Sequence, residues 1–158
     1  MATTYDAFTD RLNKSRPAMF RVAEWIHRKG RSVYIPAIIA APKGSDWKDY
    51  VDDGDLFVDD DVKGRLKVEV KHVNIDFTGP KNWPYPSVIV SGKGTIERNM
   101  GTVETYIIVN KQMTHAMIVL GETAKHWYIK RMFAKNTQKE EDFYLCPMEH
   151  VIFTKIVE

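Results

Sequence analysis

Apolar residues near the start of the chain follow the spacing of an amphipathic helix. Between residues 5 and 29 they recur at intervals of three, four and seven positions, and they are Phe8, Leu12, Met19, Val22, Ala23 and Ile26. Pro17 is unfavourable in a helix interior, so we expect a break near residues 15–16 and a second helix over residues 17–29. Gly30 is suited to end that helix, because glycine readily adopts the left-handed conformation found after helices.

After this region, short apolar segments alternate with polar turns, which predicts strands. Residues 54–58 and 65–73 predict a hairpin, and further strands are expected over residues 32–35, 87–90, Thr105–Val109, His115–Leu120, 127–133 and part of 143–157. Residues 74–86 hold one glycine and three prolines and cannot be regular, whereas residues 92–100 predict a short helix. This order predicts one domain over residues 1–158 of the α/β or α+β class, with a sheet covered by helices.

Charge and cysteine content narrow the choice of function. The net charge is +2, but residues 46–61 hold eight aspartates, so the remainder of the chain is basic. A basic body around an acidic segment suits a metal-dependent nuclease, and the alternative is an acidic loop on a mixed surface. The single cysteine excludes an intramolecular disulfide and a Cys₄ zinc site, so we interpret Cys146 as a small core residue.

Membrane and export sequences are not expected. No apolar run reaches the length of a membrane span, and residues 1–10 lack the apolar core of a signal peptide. We therefore expect a cytoplasmic protein without membrane contact.

The predicted hairpin carries the most informative polar residues. Because side chains alternate between the faces of a strand, one face of its second strand carries Leu66, Val68 and Val70. The other face carries Lys67, Glu69 and Lys71. The hairpin should bring Asp55 of the first strand beside Glu69 and Lys71.

Two carboxylates and a lysine on one strand face are suited to phosphodiester hydrolysis. The carboxylates of Asp55 and Glu69 offer the oxygen ligands that Mg²⁺ prefers, and a cation such as Lys71 can position a phosphate or a water. The other acid-x-Lys triplets, at residues 46–48 and 61–63, lie in predicted loops, where alternation does not fix the side chains on one face. The alternative is a charged strand face without a site.

An acidic residue on an early helix, an aspartate on a strand and Glu-x-Lys on the next strand together resemble the PD-(D/E)xK nuclease superfamily. The matching positions are Glu24, Asp55 and Glu69-Val70-Lys71, and the resemblance covers residues 17–95. It is strongest to the Holliday-junction-resolvase-like branch, including phage-encoded members. One departure is that no proline precedes Asp55.

This resemblance implies a restriction-endonuclease-like core, in which helices flank a central mixed sheet. It also implies a DNA endonuclease that depends on Mg²⁺, with Mn²⁺ as a substitute. Asp55, Glu69 and the backbone carbonyl of Val70 would hold the ion, and Lys71 and Glu24 would complete the catalytic set. By analogy with relatives that cut two strands, the chain is expected to form a homodimer.

Several further residues are candidates, each with a plain alternative. Asp53 rivals Asp55 as a metal ligand, Glu24 can equally be a solvated helix residue, and His72 alternates to the face opposite Lys71, which favours a structural role. Residues that could contact DNA are Lys43, Ser45, Lys48 and Lys93, and ordinary loop polarity explains the first three equally well. Trp83 and Tyr85 could stack on an unpaired base or form a packed lid over the sheet edge.

Three functions therefore stand open from the sequence. The first is a Mg²⁺-dependent DNA endonuclease, selective in one version for branched DNA. The second is a catalytically silent protein of the same fold that binds DNA or a host protein. The intact Glu69-x-Lys71 motif argues against it, because silent relatives are free to lose the lysine. The third is an unrelated α+β domain with a charged strand.

Overall fold

The computed structural model describes residues 4–36, 55–99, 102–135 and 137–158. In chain order, the helices and strands of these segments are α1 (Thr4–Arg28), β1 (Val33–Tyr34), β2 (Leu56–Asp60), β3 (Gly64–His72), β4 (Ser87–Gly92), α2 (Lys93–Arg98), β5 (Thr105–Val109), β6 (His115–Leu120), β7 (Tyr128–Ala134), β8 (Lys139–Pro147) and β9 (Ile152–Lys155). Short 3₁₀ turns lie at Pro80–Asn82, Gly121–His126 and Met148–His150. No helix within these segments is both long enough and apolar enough to cross a membrane.

The strands form two sheets. The main sheet has six strands in the order β1-β2-β3-β5-β6-β9, and the second sheet has three in the order β4-β8-β7. Strands β3 and β5 are parallel, and the other neighbouring pairs of the main sheet are antiparallel, so this sheet is mixed. The predicted mixed α and β class is confirmed.

Helix α1 differs from its prediction, because it continues through Pro17 without a break. A proline removes one backbone donor and crowds the preceding turn. Packing offsets this cost here, since the turns after Pro17 bury a continuous face made of Ala18, Met19, Val22, Ala23 and Ile26. The end of the helix is as expected, with Gly30 at φ +82° and its N–H bonded to the carbonyl of His27.

The two faces of the main sheet have different covers. The buried face of α1 packs on one side, against Leu56, Val58, Val68, Val70 and Ile107. The other side, with Tyr106, Ile108, Met117 and Val119, packs against β4, β8 and α2 through Val88, Val90, Cys146 and Ile96. Helices were expected to flank the sheet, but most of this second cover is β-sheet. Alternating apolar residues in β4 and β8 explain this, because they bury one strand face.

Side-chain hydrogen bonds from two asparagines hold the irregular segment before β4, and one of these bonds is buried. Asn110 is fully buried, and its Nδ2 donates to the carbonyl of Phe77 at 2.8 Å. Its Oδ1 accepts from the N–H of Thr114 at 2.9 Å. Asn82 then accepts through Oδ1 from the N–H of Thr78 at 2.9 Å. The segment is irregular as predicted, yet these bonds tie it to the residue that follows β5 and to itself, so it forms a wall beside the sheet.

Candidate functional site

The hairpin of β2 and β3 places Asp55 directly across from Glu69. Leu56 pairs with Val68, so Asp55, one residue earlier, stands opposite Glu69, one residue later. The N–H of Val70 donates to Oδ2 of Asp55 at 2.7 Å, which fixes that carboxylate against β3. Both acidic side chains lie on the strand faces turned away from α1, because Leu56, Val68 and Val70 occupy the faces that pack on it.

The turn between these strands sets their register. Oδ1 of Asp60 accepts hydrogen bonds from the N–H groups of Val62 at 2.9 Å and Lys63 at 2.8 Å. These bonds lower the pKa of Asp60, the one from Lys63 most. Gly64 follows at φ +78°, a conformation that glycine adopts without strain. A shift by one residue would move Asp55 away from Glu69, so the turn protects the pairing of the two acids.

Lys71 lies on the same face of β3 as Glu69 and close to both carboxylates. It is partly buried, and burial lowers the pKa of its ammonium group, while the charges of Glu69 and Asp55 oppose that shift. The alternation predicted for Glu69 and Lys71 is therefore confirmed. Asp55, Glu69 and Lys71 form a compact group of two carboxylates and one amine.

Tyr106 adds a fourth residue to this group. It pairs with Glu69 across the parallel strands β3 and β5, and its side chain is 5% exposed. Burial, followed by the charge of Glu69, raises the pKa of Tyr106 to about 12. Tyr106 was not among the site residues predicted from the sequence. More than thirty residues separate it from Glu69, and the pairing of such distant strands leaves no pattern in the local sequence. The phenol of Tyr106 is neutral near pH 7, so it lies beside Glu69 without adding charge.

Asp55 and Glu69 supply the carboxylate oxygens in this group that could contact a hard divalent ion. Within the described residues no group of three or more His, Cys, Asp or Glu side chains could hold a metal ion, so an ion at this site would depend on Asp55 and Glu69 together with backbone and water. The N–H of Val70 points toward Asp55, and the N–H and C=O of one residue in a strand point to the same neighbour. The Val70 carbonyl is therefore directed to the same side. Mg²⁺ tolerates few protein ligands because it retains several waters.

Glu24, the acidic residue on α1, makes its contacts along its own helix. Its carboxylate accepts a bond from Arg28 at 2.7 Å and lies 4.0 Å from Arg21, and its side chain is half exposed. It neighbours the buried Ala23 face, and that face packs on the side of the sheet opposite Glu69. These contacts favour the alternative of a helix-surface carboxylate.

The remaining candidates divide by location. Lys93 begins α2 and lies 3.9 Å from Glu97, one turn later. His72 has Nε2 3.2 Å from the carbonyl of Lys111, which agrees with a structural role. Four candidates lie outside the described residues, and they are Lys43, Ser45, Lys48 and Asp53.

An open cavity of about 440 Å³ adjoins Lys71. Lys71 and Ile108 of the main sheet contribute to its wall, and Tyr128 and Lys130 of β7 contribute from the second sheet. The segment before β4 adds Trp83 and Tyr85, so these two sequence candidates do lie around the same space as Lys71. Tyr128 and Lys130 were missed, because nearly sixty positions separate them from Lys71 in the sequence.

Trp83 and Tyr85 have different surroundings. The indole of Trp83 is partly buried, donates to the carbonyl of Ser87 at 3.1 Å and meets Phe77 edge to face at 5.4 Å. Tyr85 packs edge to face on Trp83 at 5.5 Å but remains 55% exposed. Trp83 is thus a packed residue, in agreement with the alternative that this segment forms a packed lid. It supports Tyr85, whose ring borders the cavity.

Comparison with family models, with curated proteins and with solved structures gives no match for this chain. Its function is therefore inferred from its own residues and their geometry.

Proposed function

We propose that this chain is a metal-dependent nuclease that hydrolyses phosphodiester bonds of DNA, with its site on the β2–β3 hairpin. One observation carries the proposal: Asp55 stands opposite Glu69, and Lys71 lies close to both on the same strand face. A charged strand placed there for surface polarity would be open to water. Asp55, Glu69 and Lys71 are instead each partly buried, and Glu69 pairs across the strands with the buried Tyr106.

The architecture supports the restriction-endonuclease-like core that the resemblance implies. A long helix precedes an antiparallel hairpin, and the strand with Glu69-x-Lys71 then pairs with a parallel strand in a mixed sheet. The departure is the second sheet, which covers the face where flanking helices were expected. It forms one wall of the cavity beside Lys71, so it adds contact surface at the proposed site.

Each residue has a defined part in the proposed chemistry. Asp55, Glu69 and the carbonyl of Val70 would hold Mg²⁺ or Mn²⁺, which supplies a water of lowered pKa and neutralises charge on the reacting phosphate. The N–H of Val70 keeps the Asp55 carboxylate oriented. Lys71 donates to a phosphate oxygen or to the attacking water and so positions it for in-line attack. Neutral Tyr106 closes the side toward β5 and excludes water.

Incubation with supercoiled plasmid and with branched DNA tests the proposal. In Mg²⁺ or Mn²⁺ the protein should nick or cut at least one of these substrates, and EDTA should stop the reaction. If no DNA form is cut in either metal while DNA is still bound, the proposal fails in favour of a silent nuclease fold that binds DNA. Sedimentation in the presence of DNA would test the predicted homodimer.

Glu24 is left out of the proposed site, because its contacts are with arginines of α1. Glu24→Gln should therefore keep wild-type cleavage and change stability little, since exposed ion pairs contribute little. The measurement is the initial rate of DNA cleavage. Glu69→Gln, purified in parallel by the same procedure, is the inactive comparison. A loss comparable to that of Glu69→Gln would return Glu24 to the catalytic set, as the resemblance implied.

A further inference from the structure

We infer that the cavity beside Lys71 holds one unpaired, unstacked base of the DNA strand, next to the phosphate that is cut. This inference rests on the proposed nuclease function and specifies its substrate as DNA with an unpaired nucleotide at the site. The cavity volume of about 440 Å³ lies in the range of roughly 300–1,000 Å³ that is typical of small-ligand sites. A single nucleotide is a ligand of that class.

Beside a largely aliphatic wall, the lining of the cavity includes aromatic rings and two lysines. Tyr85 and Tyr128 line it while remaining 55% and 42% exposed, so both rings are open to a ligand. Two lysines, Lys71 and Lys130, also line it, and none of the described lining residues is acidic. Aromatic faces that stack on bases, combined with lysines that attract phosphates, are the features by which proteins hold single-stranded nucleic acid.

The two tyrosines are held in place before any ligand arrives. The hydroxyl of Tyr128 donates to Oγ of the buried Ser87 at 2.8 Å, which ties β7 to β4 across the sheet. Tyr85 rests on Trp83, whose indole is fixed by the carbonyl of Ser87. Ordered side chains lose little entropy on binding, so a base entering between them keeps most of its stacking energy.

Lys71 links the cavity to the proposed catalytic group. Its side chain borders the cavity and also lies near Asp55 and Glu69. A base in the cavity would therefore hold its own phosphate close to the carboxylates. A paired base cannot enter, because its stacked neighbours cover both of its faces and its partner occupies its Watson–Crick edge, so duplex DNA must first be opened at that position.

Fluorescence anisotropy in EDTA tests this site separately from cleavage. The probes are a short labelled oligothymidine strand and a blunt duplex of mixed sequence. Tyr85→Ala and Tyr128→Ala should each weaken single-strand binding by roughly 5- to 100-fold, the range expected for one base–aromatic stack. Tyr128→Phe keeps the ring but loses the bond to Ser87, so it should weaken single-strand binding clearly less than Tyr128→Ala does. Duplex binding should be unchanged in all three variants.

Phe133→Ala is the matched control, since Phe133 lies on the same strand as Tyr128, is 54% exposed and points to the opposite face. It should bind like wild type. Single-strand binding by Tyr85→Ala and Tyr128→Ala equal to that of wild type would overturn the base site, as would equal losses for strand and duplex. The anisotropy assay contains no free divalent metal, so its result does not depend on cleavage. Wild type that binds the strand in this assay but cuts no DNA in Mg²⁺ or Mn²⁺ would remove the nuclease proposal and leave the base site standing.

Discussion

Replacing Lys71 with alanine is expected to reduce DNA cleavage by about two orders of magnitude or more, the usual scale for one positioned electrostatic or proton-transfer group. A site that only stored a metal would gain nothing from an amine beside it, because two cations repel each other. The amine is useful once an anionic phosphate or hydroxide lies between it and the ion. Metal affinity should therefore stay the same or rise slightly in Lys71→Ala.

DNA binding should survive this change, since one phosphate contact is a minor part of a salt-dependent sum. Lys63→Ala is the control, because Lys63 lies on the same hairpin but is exposed in its turn. The two variants are compared by single-turnover cleavage and by Mn²⁺ titration. If Lys71→Ala cuts DNA at the rate of Lys63→Ala, Lys71 has no role in the reaction.

Replacing Asp55 with asparagine should weaken Mn²⁺ binding by at least about tenfold, since even residues outside the ligand set contribute that much, and should abolish measurable cleavage. Asparagine is nearly the same size, and its Oδ1 can still accept the N–H bond from Val70. The fold should therefore persist, and only the charge and one ligand oxygen are lost. Isothermal titration with Mn²⁺ measures the first effect directly.

Asp59→Asn provides the comparison for Asp55→Asn. Asp59 lies on β2, four residues after Asp55, and strand alternation places it on the same face. Its carboxylate is exposed and pairs with Arg65 at 3.1 Å. This variant should bind Mn²⁺ and cut DNA like wild type. Equal Mn²⁺ affinities in Asp55→Asn and Asp59→Asn would remove Asp55 from the metal site.

Local patterns were enough to predict the hairpin and the faces of β3. Alternation of apolar and charged residues assigns Val68 and Val70 to one face, in the core, and Glu69 and Lys71 to the other. The structure agrees, and it shows that α1 covers the first face. The strands Thr105–Val109 and His115–Leu120 were predicted with the bounds they have. Side-chain periodicity depends on the backbone of one strand alone, so it can be read without knowledge of the tertiary structure.

Features that depend on distant pairing could not be predicted in this way. Tyr106 reaches Glu69 because β5 pairs in parallel with β3, and Tyr128 reaches the cavity because β7 joins the second sheet. The helix through Pro17 is a related case, since tertiary burial of Val22 and Ile26 outweighed a local preference. Each of these outcomes was determined by packing between segments far apart in the chain.

Single-turnover cleavage of supercoiled plasmid by wild type, Asp55→Asn and Lys71→Ala, purified in parallel, tests the central claim most directly. If Asp55, Glu69 and Lys71 form a nuclease site, wild type should nick the plasmid in Mg²⁺ and not in EDTA. Both variants should then be slower by about two orders of magnitude or more. Equal rates in all three preparations would assign the cleavage to a contaminant, and that result, or the absence of cleavage by wild type, would contradict the proposed function.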